Sequence, residues 1–140
     1  MKSKIMIFAL TVAVSILLIN NLYAQNKNQY NRIYNTATVE TITGDVQSVD
    51  FYSYKKSSGY GGVHITIKTD KETITVHLGP SWYLDDNNFT INLNDKIEVK
   101  GSRVMWQGND VIIAADIKIG DKSLALRDDD GVPFWSGRKN

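Results

Sequence analysis

His64 and His77 are the chain's two histidines, and they are the side chains best suited to titrate near neutral pH or to ligate a metal. They lie in VHITIK (Val63 to Lys68) and TITVHL (Thr73 to Leu78). Both segments alternate apolar and polar residues with the period of two that marks a half-buried strand. The intervening Thr69-Asp70-Lys71-Glu72 suits a tight antiparallel turn. With Asp70 and Lys71 at its centre, Ile65 faces Val76, Val63 faces Leu78 and Ile67 faces Ile74 on one side. A slip by one residue would mix the apolar and polar faces, so burial favours this register. The opposite side sets His64 against His77, Thr66 against Thr75 and Lys68 against Thr73. Opposed Cβ atoms lie about 4.5–5.5 Å apart, close enough for two neutral imidazoles to share one divalent metal. A stable site normally takes three or four ligands, and the sequence offers no third.

Two further stretches flank this hairpin. Tyr52 to Gly62 (YSYKKSSGYGG) carries Tyr54, Lys55, Lys56 and Tyr60 among flexible glycines, and Trp106 opens WQGND (Trp106 to Asp110). Aromatics interleaved with cations stack on planar ligands and attract anions. Tyr54, Lys55, Lys56, Tyr60, His64, His77 and Trp106 are therefore the candidate contact residues. Asp128-Asp129-Asp130-Gly131 lacks the alternating spacing and closing Glu of a calcium loop and reads as a turn. The absence of cysteine removes thiolate nucleophiles, thiolate metal sites and disulfides. No P-loop, GxGxxG or GxSxG pattern is present. The expectation is a binding protein without catalysis or cofactor.

The elements that must position these residues are mostly strands. Thr38 to Phe51 is β-branched and broken by Gly44, where a bulge or sharp bend is expected. The two histidine strands follow. Lys96 to Trp106 alternates around Gly101, while Val111 to Ile119 is continuously apolar, as in a strand covered on both faces. Ser123 to Arg127 is a short sixth candidate. A single short helix is expected where Gly79-Pro80-Ser81 leads into Trp82, Tyr83 and Leu84 and stops at Asp85 to Asn88. Phe89, Ile91 and Leu93 are expected to seal the same end of the core. Three strands, a short helix, two strands and an extra one predict an all-β, five- to six-stranded OB-fold-like barrel with one helix between strands 3 and 4. Another small barrel of five or six strands is the rival. In OB-folds the usual ligand surface is the outer face of strands 2 and 3 with the adjoining loops.

The first 24 residues have the zones of an export signal: Lys2 and Lys4, then the apolar run Ile5 to Ile19, then NNLYA ending in Ala24. A run of 15 falls short of the ~20 apolar residues that span a bilayer. Cleavage after Ala24 is expected to leave Gln25 first in an exported, periplasmic protein, an uncleaved anchor being the alternative. Residues 25–37 read as a polar leader and 38–140 as the barrel domain. Removing Lys2 and Lys4 changes the net charge from +1 to −1, with 14 Lys and Arg against 15 Asp and Glu. That balance argues against a dedicated nucleic-acid binder.

VHLGPSWYL (Val76 to Leu84), GSRVMWQGNDVIIAADI (Gly101 to Ile117) and LRDDDGVPFWSG (Leu126 to Gly137) resemble a family of small exported bacterial OB-fold proteins. The resemblance implies the barrel fold and export, and it implies no catalytic residues. Three functions remain in view. The first is an exported OB-fold module binding a small ligand or an exported partner protein. The others are a single-strand nucleic-acid binder and a metal protein built on His64 and His77.

Overall fold

The computed structural model describes residues 34–53 and 61–136, all within the compact unit Ile33–Asn140. The export segment, the leader up to Ile33, and Tyr54, Lys55, Lys56 and Tyr60 lie outside the described residues. The strands are β1 (Val39–Ser53), β2 (Gly61–Lys68), β3 (Thr73–Pro80), β4 (Lys96–Trp106), β5 (Asn109–Ile119) and β6 (Lys122–Ala125). Helix α1 (Ser81–Asp86) lies between β3 and β4, and a 3-10 turn at Thr36–Thr38 precedes β1. The sheet runs β3-β2-β1-β4-β5-β6, and β3 also pairs with β5. That last pairing is parallel and closes five strands into a barrel, leaving β6 attached outside β5. This strand order, closure and helix position define an OB-fold, which removes the rival barrel.

β1 is shared between two neighbours. Its first half pairs with β4, from Val39 opposite Ser102 to Asp45 opposite Lys96. Its second half pairs with β2, from Asp45 opposite Lys68 to Ser53 opposite Gly61. The change of partner falls at Asp45, beside Gly44, where a Cβ would lie 2.6 Å from the Lys68 carbonyl oxygen. A side chain there would hold the two strands apart. The register irregularity expected near Gly44 sits slightly later, between Val46 and Ser48.

Alternation fills the barrel. Val46, Ile65, Ile67, Val76, Leu78, Ile97, Val99, Ile112 and Leu126 are fully buried, each contributing about 1.5–3 kcal/mol of apolar burial. Leu84 of α1 and Phe89 are buried in the same core, and Ile91 packs against it. Leu93 does not join them and is 60% exposed. The turn at Asn92 to Asp95 explains this difference: the Asn92 amide donates to Asp95 Oδ2, and Asn94 has a φ of 68°. β5 is covered on both faces as its composition implies, with Val111, Ile113 and Ala115 buried as well as Ile112 and Ala114.

The chain after β6 completes the wall. β3 and β5 pair as far as His77 opposite Ile113. Beyond that point the Arg127 guanidinium donates to the carbonyl oxygens of Leu78 and Ala114, one from each strand. It acts as one further rung of the ladder. Trp135 stacks over the guanidinium, 5.0 Å from its carbon, and lies against Gly79, where a Cβ would be 2.4 Å from the ring. Gly79 also has a φ of 147°, so both space and backbone demand glycine. Phe134, by contrast, is 53% exposed. Asp128 accepts from the amides of Asp130 and Val132, so the triple-aspartate stretch is a turn. Ahead of β1, the Asn35 amide donates to Ser102 Oγ, and Thr38 shares a hydrogen bond with the same hydroxyl. Packing thus begins inside the stretch assigned to the leader.

Candidate aromatic face

His64 and His77 are directly opposed, with Thr66 opposite Thr75 and Lys68 opposite Thr73. On the inward side Ile65 meets Val76 and Ile67 meets Ile74. The expected register fails at one place: it slips between Val63 and His64, so Val63 faces Gly79 and not Leu78. Leu78 is the extra residue on β3, followed by the unusual backbone of Gly79, and both Val63 and Leu78 stay buried. β1 extends the outer face, setting Ser48 opposite Thr66, Asp50 opposite His64 and Tyr52 opposite Gly62.

Four rings form a row across these strands. The Tyr52 and His64 ring centres are 4.5 Å apart, tilted by 39°. His64 and His77 stack face to face at 3.7 Å and 3°. Trp106 meets His77 edgewise at 5.8 Å and 82°. Trp106 reaches this position from the end of β4, where Gln107 and Gly108, at φ 49° and 83°, make a two-residue hairpin into β5. Parallel pairing of β3 with β5 then brings that hairpin beside His77. Tyr52 is 51% exposed and Trp106 39%, with both imidazoles half-buried between them.

Burial keeps the imidazoles neutral. His77 is pushed down to about 4 by burial, then by neighbouring His64 and Arg127. His64 is also lowered by burial, against an opposing pull from Asp50. A neutral imidazole offers one N–H donor and one acceptor nitrogen. The stack does not suit chelation. Nitrogen lone pairs lie in the ring planes, and here the planes are parallel and 3.7 Å apart. A metal roughly 2.0–2.1 Å from a nitrogen on each ring would sit far outside both planes. Among the described residues, no group of three or more His, Cys, Asp or Glu is placed to hold a metal ion.

Of the candidate contacts, the structure brings His64, His77 and Trp106 together. Tyr52 and Asp50 were missing from that set. Their signal was available: outward residues of β1 recur every second position, through Ser48, Asp50 and Tyr52. A second polar cluster lies elsewhere, where Arg103 bridges Glu40 at 2.8 Å and also binds Glu72. It borders a cleft of about 770 Å³ between the first half of β1 and the β2–β3 turn. Arg103 holds the Glu40 carboxyl below its usual range, chiefly by hydrogen bonding.

A model of the MamS/MamX magnetosome protein family matches residues 38–124, from the start of β1 into β6. No curated protein matches the chain. Among solved structures, the N-terminal domain of a PriB protein from Thermoanaerobacter tencongensis is similar at 11% identity and a TM-score of 0.40, over 61% of this chain and 99% of that one. Strand order and the β3–β5 closure alone make this barrel an OB-fold.

Proposed function

The chain belongs to the MamS/MamX magnetosome protein family, and we propose that it is an exported, periplasmic OB-fold binding module without catalytic activity. Its ligand or partner protein belongs to the magnetosome setting that the family description names, and it docks on the outer face of β2 and β3. The observation carrying this reading is the row Tyr52–His64–His77–Trp106, which crosses the barrel on the side where OB-folds bind ligands. Tyr52 and Trp106 are partly exposed aromatics, a residue class that dominates binding hot spots. Nucleic acid is disfavoured by the mature charge of −1 and by Asp50 beside the row.

The test is capture from periplasmic extract with wild-type protein and with a Tyr52→Ala, His77→Ala, Trp106→Ala triple variant. A partner retained by the wild type and lost by the folded variant is expected. Identical capture by both removes this face from the function.

A further inference from the structure

The hydrogen-bonding capacity of the row and its surroundings narrows the ligand class, on the premise that this face is the binding surface. Centroids 3.7 Å apart with parallel planes mean that the His64 and His77 ring normals run across the strands. The rings therefore stand on edge, spending their faces on each other and presenting rims outward. The rim of each neutral imidazole carries one donor and one acceptor. Beside this pair runs a rank of hydroxyls, Ser48, Thr66 and Thr75, aligned by the same pairings. Ser48 Oγ donates to Asp50 at 3.2 Å. Among the described residues, the imidazoles and the Thr66 and Thr75 hydroxyls make no side-chain hydrogen bond. Two partly exposed aromatic rings close the ends.

We propose that this face takes an uncharged saccharide, whose C–H faces lie against Tyr52 and Trp106 and whose hydroxyls exchange hydrogen bonds with His64, His77, Thr66, Thr75 and Asp50. A sugar hydroxyl donates and accepts, as a neutral imidazole and a threonine hydroxyl do. A carboxylate or phosphodiester ligand only accepts, and it leaves the acceptor nitrogens of the imidazoles and the Asp50 carboxylate without a donor. Asp50 is suited to a hydroxyl donor and repels an anion. The pH response separates these ligand classes. His64 is faced by Asp50 and Tyr52 of β1 and by His77, and His77 by His64, Trp106 and Arg127. Acid converts acceptor nitrogens on the rims into donors, which weakens a hydroxyl network and strengthens binding of an anion.

The experiment titrates the mature chain with maltotetraose, cellotetraose and tetra-N-acetylchitotetraose, and in parallel with oligothymidylate. It reads heat and tryptophan fluorescence at low and high salt, from neutral pH down to about 4. At least one saccharide is expected to bind saturably and independently of salt. Its affinity should hold steady near neutral pH and fall as the pH approaches the His77 value. Trp106→Ala and Asp50→Asn should each weaken it, Trp106→Ala by roughly tenfold, the scale of one aromatic contact. Near-ultraviolet circular dichroism checks that both variants remain folded. Three results each overturn the proposal: no saccharide binding, saccharide binding unaffected by Trp106→Ala, or binding of oligothymidylate alone with steep salt dependence. If the saccharides fail while the triple variant still loses its captured partner, only the ligand class falls. If capture is also unaffected, the binding-face reading falls with it.

Discussion

His77 has few ways to carry a proton. One face is covered by His64, Trp106 meets it edgewise, and the Arg127 charge adds to the effect of burial. In the unfolded chain its pKa returns to about 6.5, against about 4 in the fold. Between these values the unfolded state binds more protons, so stability falls as the pH is lowered through that window, while above it this group has no effect. His77→Phe keeps a flat ring and removes the proton. Its melting temperature should therefore change less between pH 6.5 and 4 than that of the wild type, as a thermal scan at several pH values would show. Arg103→Ala should act differently. Its ion pairs are partly exposed, so about 1 kcal/mol or less should be lost in urea unfolding, and added salt should shrink the difference. The opposition of His64 and His77 was legible because burying Ile65, Ile67 and Val76 admits one register. Trp106 was legible as an aromatic in a turn, but its contact with His77 was not. That contact depends on a parallel pairing between strands far apart in sequence.

Among the elements, β1 and the tail do what local pattern reveals least. Gly44 looked like an interruption of a strand, yet it lets one strand pass from β4 to β2. Gly44→Ala should push against the Lys68 carbonyl and cost about 1–3 kcal/mol, read from denaturant midpoints. Arg127 was assigned only as the end of a short strand. Its guanidinium instead points inward, where burial lowers it to about 10. Arg127→Met would leave the Leu78 and Ala114 carbonyls without their donor, at about 2–4 kcal/mol for the two together. Arg127→Lys should recover only part of this, because an ammonium lacks the planar fork and the stack on Trp135. Tryptophan emission in a Trp82→Phe, Trp106→Phe background, where Trp135 alone reports, would separate loss of the tail from global unfolding.

At the scale of the whole molecule, composition and strand patterning were enough to read an OB-fold, since β2, β3 and β4 alternate with a period of two, β5 is a continuous apolar run and one helix signal falls after the third strand. The face was legible only as a region. Half of its side chains come from strand ends, and their meeting is fixed by closure of the barrel. The proposed export has the simplest check: N-terminal sequencing of the protein from a periplasmic fraction should begin at Gln25, and a product retaining Met1 in the membrane would replace cleavage with an anchor.

The rung supplied by Arg127 also gives the wall an order of assembly. A chain emerging N-terminal end first, from ribosome or translocon, has all six strands out before the residue that ties β3 to β5 beyond His77. Until then that stretch of the wall is an unlatched trough with two bare carbonyls.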